Sequence, residues 1–247
     1  MPEGARINQF LASCGKGSRR DCDKLVLAGR VQVNGRPATP ATRVLPGDHV
    51  KLDGHRVQSR HTTTVLFHKP AGFVCSKDDE LGRPTIYSLL PPNLHHLNHV
   101  GRLDLDSEGL LVLTNDGDLA QRLSHPSNRV EKEYLVGTST TVPDESLARI
   151  SLGVRTAHGT LAAKAIYRLS PRRFAVVLDH GVKRQIRVMF EALGHTVTRL
   201  VRIRIGSLSD ETLKPGAWRA LDHAAITILL ANPRKSPSNR GGRQLRD

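Results

Sequence analysis

The run GRLDLDSEGLLVLTNDG, residues 101–117, sets an alternating polar row directly before an apolar stretch. If residues 101–106 are extended, Arg102, Asp104 and Asp106 share one face while Leu103 and Leu105 point into the core on the other. The GLLVLTN segment that follows reads as a buried strand. On spacing alone, two readings stand level: a surface row of ion pairs before the strand, or a cleft-facing site. The carboxylates also match the start of a calcium loop, with Gly109 at its sixth position. Asn115 stands at the twelfth, where a bidentate Glu is required, and the preceding PPNLHHLNHVGR makes a poor helix, so that reading is rejected.

Around this run, the segments VLFHKPAG, EYLVGTST, PDESLARISLG, LAAKAIYRL, RFAVVLD, VKRQIRVMFEALG, VTRLVRIRIG and HAAITILLAN alternate strand and helix patterns. Strands outnumber helices and several follow one another directly. That predicts an α+β fold with a mixed or antiparallel sheet flanked by helices. In VKRQIRVMFEALG, Ile186, Met189, Phe190 and Leu193 fall on one helical face. Arg187 sits at the border of that face, so it is expected to be half-buried and to need a carboxylate. Arg184 lies nearly opposite the core and is expected in solvent or on phosphate.

Residues 5–60 read as a separate small module. Ile7, Phe10, Leu11 and Cys14 repeat at helical spacing. In SRRDCDKLVLAGR, Ser18 is an N-cap with Asp21 three residues on, and Gly29 marks the stop. VQVNGRPA then predicts a strand and a tight Asn34-Gly35 turn, and VLPGDHVKLDG repeats the theme. Lys16, Arg19, Arg20, Lys24 and Arg30 gather near one helix start, as a phosphate-binding face would require. The polar VQSRHTTT, 57–64, is expected to be a linker, and PRKSPSNRGGRQLRD, 233–247, a basic flexible tail.

The chain of 247 residues carries a formal net charge of +14 and a sequence pI near 10.4. Residues 1–60 hold 11 Lys and Arg against 5 acids, and residues 233–247 hold 5 against 1. Basic charge concentrated at the two ends fits arms that grip a polyanion, and without an amphipathic basic helix that polyanion is expected to be nucleic acid rather than a membrane. No apolar run is long enough to span a bilayer, and the first ten residues lack a signal-peptide core. Three cysteines without a CxxC pair argue against a disulfide framework or a cysteine zinc site and favour a reducing cytoplasm. His95, His96 and His99 lack a supporting ligand motif, so no metal is assigned. No Walker loop or dinucleotide fingerprint is present, and no cofactor is expected.

GRLDLDSEGLLVLTNDG, together with HKPAG, KEYLV, KRQIRVM and TRLVRIRIGSLSDETLKPGAWRAL, resembles the RNA pseudouridine synthases, specifically the RsuA/RluB/RluE/RluF group. INQFLASCGKGSRRDCDKLVLAGRVQVNG resembles an S4 RNA-binding domain. The resemblance implies an S4 domain over 1–60, a synthase domain over 61–232, and isomerisation of uridine to pseudouridine without a cofactor. It implies Asp104 as the catalytic aspartate, Arg187 as the basic residue paired with it, Tyr134 as the platform stacking on the flipped base, and Arg102 as the residue that extrudes the base. Lys69 and Pro70 match a motif at the edge of the site and are expected to be structural support. Arg184 joins Lys16, Arg19, Arg20 and Lys24 as an expected RNA contact, while Asp106 and Glu108 are expected to be loop and surface structure. Two positions depart from the group: Lys183 stands where Asn is common and Val188 where a second Arg is common. The implied partner is ribosomal RNA of the large subunit or a pre-ribosomal particle, met by a monomer in the cytoplasm. Small-subunit RNA is the alternative target, and a non-catalytic assembly factor the rival from another class.

Overall fold

The computed structural model describes residues 4–57 and 61–232. The expected tail at 233–247 lies outside the described residues.

The first module forms as the sequence patterns require. Helix Ile7–Ser13 buries Ile7 and Leu11, and helix Arg19–Leu27 buries Cys22 and Val26. The second helix begins in a full capping box. The Ser18 hydroxyl accepts from the Asp21 N–H while the Asp21 carboxylate accepts from the Ser18 N–H, so two orphan donors of the first turn are satisfied. Both helices pack on a four-stranded antiparallel sheet built from Arg36–Pro37, Val31–Val33, Val50–Leu52 and His55–Arg56, in that order. Asn34 and Gly35 both take positive φ in the first hairpin turn, which Asn-Gly accommodates at little cost. Lys16, Arg19 and Arg20 are exposed around the start of the second helix, and Lys24 is exposed in its last turn.

The expected linker is shorter than its polar composition suggested. Val57 is buried in the core of the small module, and Thr64 already belongs to the first strand of the next sheet, where its hydroxyl meets that of Thr114 at 2.8 Å. Paired threonine hydroxyls satisfy each other inside a sheet, which lets a polar residue enter it.

Residues 61–232 build a mixed sheet of nine strands among the described residues. Its main path runs Ala165–Ser170, Arg173–Leu178, Lys132–Thr138, Val197–Ile205, Glu108–Thr114, Thr64–Lys69, Trp218–Ala220. All pairs on this path are antiparallel except the central one, where Glu108 and Gly109 run parallel to Val201 and Arg202. The apolar run GLLVLT has a plain physical cause. Leu110 and Val112 pack on one face of the sheet with helices Gly117–Ser124 and His223–Leu230, and Leu111 and Leu113 pack on the other with Ile86, Leu94 and Leu97. A strand covered on both faces has no reason to alternate. At the other end of the sheet, helices Asp144–Leu152 and Gln185–Glu191 close a third core around Val136, Phe174, Val176 and Leu200.

Candidate active site

The strand Glu108–Thr114 changes neighbours along its length. Its first two residues pair with Val201 and Arg202, whereas Val112, Leu113 and Thr114 pair with the short strand Asn98–Val100. The two neighbours part after Gly109, and a cavity of about 590 Å³ lies among residues of all three strands. Gly109 is what allows the junction. Its φ is +108°, and a Cβ there would lie 2.2 Å from the Arg202 carbonyl oxygen, so no other residue fits without moving backbone.

The loop 101–107 joins the two strands of this hairpin at the edge of the cavity. The extended row expected over 101–106 stops at Asp104, because Leu105 and Asp106 form a turn closed by the Ser107 N–H on the Asp104 carbonyl at 3.1 Å. Leu103 is buried as expected, but Leu105 is 40% exposed and not core. The cause is Lys69, at the end of strand Thr64–Lys69, whose side chain is wholly buried. Its ammonium donates to the carbonyls of Ser107 at 2.7 Å, Asp104 at 3.0 Å, Pro70 at 3.1 Å and Leu105 at 3.4 Å. Three carbonyls of one loop can converge on a single cation only if the chain curls around it. Burial pushes the Lys69 ammonium pKa down, against the nearby Cys75, Asp106, Asp104 and Glu108.

Asp104, Arg102, Tyr134 and Arg184 all line the cavity. Arg187 does not line it, and its pairing corrects the sequence expectation. Its guanidinium, 10% exposed, binds Asp106 through the carboxylate Oδ2 at 3.1 Å and the carbonyl at 3.1 Å, and also the Val197 carbonyl at 2.8 Å. Arg187 is thus buried against a carboxylate as expected, but the carboxylate is Asp106 and not Asp104. The turn after Asp104 swings Asp106 back toward the helix Gln185–Glu191, and an extended chain would not have done so. Asp106 is an exposed turn residue, as expected of loop structure, and its carboxylate also meets Arg187 and Arg184.

Arg184 is likewise not simply in solvent. It holds the left-handed conformation, φ 56°, at the start of that helix, and its guanidinium forks onto Asp106 at 3.2 and 3.3 Å. It is also the cation beside Asp104, at 3.9 Å from Oδ2. Left-handed backbone costs a non-glycine residue roughly 1–2 kcal/mol, and here it turns the side chain toward the two carboxylates. Against the upward push of partial burial, the hydrogen bond from Arg184 and the charges of Arg187 and Arg184 hold the Asp106 carboxyl below its ordinary pKa. Glu108 bonds Arg199 at 3.2 Å where the two central strands begin to pair.

Two cavity residues were missed from sequence. Lys132 and Tyr134 stand two apart on strand Lys132–Thr138 and so share a face, and Arg202 is directly across from Tyr134. Arg202 is buried, with Nε donating to the Leu110 carbonyl at 2.6 Å, a group left unpaired where the strands part. Arg204 lies only two residues on, yet Ile203 is an extra, unpaired residue opposite the Glu133/Tyr134 step. That bulge sends Arg202 and Arg204 to opposite faces of the sheet. An even alternation over VRIRI would have put them together.

His95 and His99 bond the carbonyls of Leu90 and Gly101 through ring nitrogens. Among the described residues, no three His, Cys, Asp or Glu side chains converge on a point that could hold a metal ion, and no helix is long and apolar enough to cross a membrane.

With this geometry in hand, comparison with known proteins is specific. Residues 63–192 match the family model of RNA pseudouridylate synthase, and residues 5–50 that of the S4 domain. Ribosomal large subunit pseudouridine synthase B of Escherichia coli (strain K12) is 37% identical over 238 residues, 91% of this chain and 81% of that protein. The protein of the same name from Yersinia pestis is 34% identical over 239 residues, 92% of this chain and 75% of that one. A crystal structure of a pseudouridylate synthase superposes with a TM-score of 0.68 at 29% identity, covering 92% of this chain and 100% of that one. The two family models reach both modules and take in the loop 101–107 with its flanking strands Asn98–Val100 and Glu108–Thr114, and the chain belongs to the RNA pseudouridylate synthase family.

Proposed function

We propose that the protein isomerises uridine to pseudouridine in large-subunit ribosomal RNA, with Asp104 as the catalytic group. The observation that carries this reading is the placement of Asp104. Its side chain, 31% exposed, stands on a pinned loop at a cavity whose other charged walls are mostly cationic. The reaction breaks the C1′–N1 bond, turns the ring and joins C5 to C1′, while the proton leaves C5 and N1 regains one. No electrons are exchanged with an outside partner, so one ionised carboxylate suffices, either bonding C1′ or removing the C2′ proton. Its target must leave the helical stack. Tyr134, half-buried on the cavity wall, is placed to stack on the ring, a contact worth about 1–3 kcal/mol per base. Arg102 is exposed on the same loop as Asp104, where it can fill the vacated place in the stack. Arg187 acts through Asp106: it fixes the turn that carries Asp104, and Arg184 supplies the cation beside the catalytic carboxylate.

The S4 module, through Lys16, Arg19, Arg20 and Lys24, grips phosphates away from the reacting base. The large-subunit target follows the names of the relatives, and a monomer working in the cytoplasm on rRNA or a pre-ribosomal particle is the setting this implies. The test is tritium release from 5-tritiated uridine in naked large- and small-subunit rRNA and in the corresponding precursor particles. Release confined to large-subunit substrates supports the reading; release from small-subunit RNA alone would move the target, and release from none would return the chain to a binding role.

A further inference from the structure

The two faces of strands Lys132–Thr138 and Val197–Ile205 treat their cations differently. Away from the cavity, Arg204 is matched by Glu133 at 2.7 Å and Glu131 at 3.2 Å, and Glu131 also binds Lys164 at 2.7 Å. On the cavity face, Lys132 and Arg202 form no ion pair with any described carboxylate. Arg202 is 5% exposed, and its Nη2 is buried with no hydrogen-bond partner. The Lys132 ammonium makes one long bond, 3.3 Å to the Leu123 carbonyl. A buried guanidinium nitrogen without a partner and a half-buried ammonium with one long bond, both beside a cavity, leave donors free for an acceptor that enters it.

That entrant must bring acceptor oxygens able to carry negative charge. Phosphates would meet the exposed cations first, since Arg102, Lys183 and Arg184 are exposed while Lys132 and Arg202 are not. The deep pair instead flanks Tyr134 on one sheet face, where a base lying on that ring presents its edge. Uracil has two carbonyl oxygens on that edge. When C1′–N1 breaks, the bonding pair stays on the ring and spreads from N1 onto those oxygens. The charge remains until C5 uses a ring pair to bond C1′, after which C5 loses its proton and N1 gains one.

We propose that Lys132 and Arg202 bind the carbonyl oxygens of the flipped uracil and stabilise the negative charge on the ring while it is detached from the sugar. This rests on the synthase reading above and adds two substrate-contacting residues to it. Burial, with the neighbouring Arg202 charge, brings the Lys132 ammonium down to about 8, opposed by Asp179 beyond the end of the adjacent strand Arg173–Leu178. Asp104 and Arg184 line the same cavity. The cation is therefore present at neutral pH and is lost in mild alkali.

The experiment measures kcat/KM for tritium release from about pH 6.5 to about pH 9.5, with RNA Kd, for wild type, Lys132→Met and Lys132→Arg. Wild type should fall off above about pH 8. Lys132→Met should lose about 100-fold or more near neutrality, the order expected for removing one preorganised charge-stabilising donor, with RNA Kd within about threefold of wild type. Lys132→Arg should keep more activity and lose the alkaline limb, and it decides the matter if the Met variant fails to fold. A Met variant as fast as wild type, a loss of rate matched by loss of RNA affinity, or an alkaline limb retained in Lys132→Arg would overturn the inference; the second outcome would make Lys132 a phosphate contact. A wild type that releases no tritium from any RNA or particle refutes the synthase reading itself, and this inference with it.

Discussion

Replacing Lys69 by Met tests whether the loop carrying Asp104 is held as the structure indicates. The substitution keeps the side chain's length and removes the donor that binds four carbonyls. Three of those bonds are 3.1 Å or shorter, and a charged donor contributes about 1.5–3 kcal/mol to each, roughly 5–9 kcal/mol in gross. Desolvating an ammonium takes back several kcal/mol. The carbonyls of a surface-edge loop can also recover water once the loop opens. A net loss of about 2–3 kcal/mol remains, and a domain of this size should melt about 4–12 °C lower. The effect on rate should be larger in proportion. The Asp104 carbonyl is one of the four, so losing the pin moves the backbone of the proposed catalytic residue, and a displacement near 1 Å costs about 100-fold. Thermal melting and single-turnover tritium release at saturating RNA read the two effects separately. Lys69 is wholly buried and presents no surface to RNA, so RNA Kd should hold. If Lys69→Met melts with wild type and turns over at the wild-type rate, the loop is organised by something else.

Other substitutions separate the remaining parts. Asp106→Asn leaves the buried Arg187 guanidinium without its carboxylate and should lower the single-turnover rate about tenfold or more while RNA binding is kept. Because Asp106 has a depressed pKa when folded, its contribution to stability is present above the unfolded value and is lost as pH falls through the folded one, so the variant should flatten the acid side of a melting-versus-pH curve. Gly109→Ala forces a Cβ against the Arg202 backbone and should cost about 3 kcal/mol or more, seen as a melting drop or as insoluble protein. Removing Arg19 and Arg20 together should reduce the slope of log K against log salt by about 1.4–1.8 without altering the single-turnover rate at saturation; an unchanged slope would place the phosphate contacts elsewhere.

Much of this was legible in the sequence, and what was not has identifiable causes. The capping box at Ser18 and the Asn34-Gly35 turn are local signals, set by atoms within three residues, and they appear in the structure as read. The GLLVLT run announced a buried strand. Arg187 announced its need for a carboxylate, since an arginine at the edge of an apolar helical face has few alternatives. Which carboxylate it takes depends on the turn at Leu105–Asp106, and that turn depends on Lys69, more than thirty residues earlier in the chain. Likewise, Thr64 joins the sheet through Thr114, a partner no window around residue 64 contains. Lys132 and Arg202 stayed hidden because the bulge at Ile203 breaks the alternation from which their face would be inferred. The one available signal was composition: two arginines and no acid in VTRLVRIRI's inner half, on a strand too apolar to be solvated.

In the proposed reaction Asp104 performs the bond chemistry, and the basic ends of the chain hold the RNA. The direct measurement is tritium release by wild type and Asp104→Asn on 5-tritiated large-subunit rRNA, with RNA Kd determined for both. Wild type should release tritium and Asp104→Asn none, with affinities within about threefold of each other, since the substitution removes a charge that contributes to the transition state and little to binding. Release of tritium by Asp104→Asn at a rate near that of wild type would contradict it.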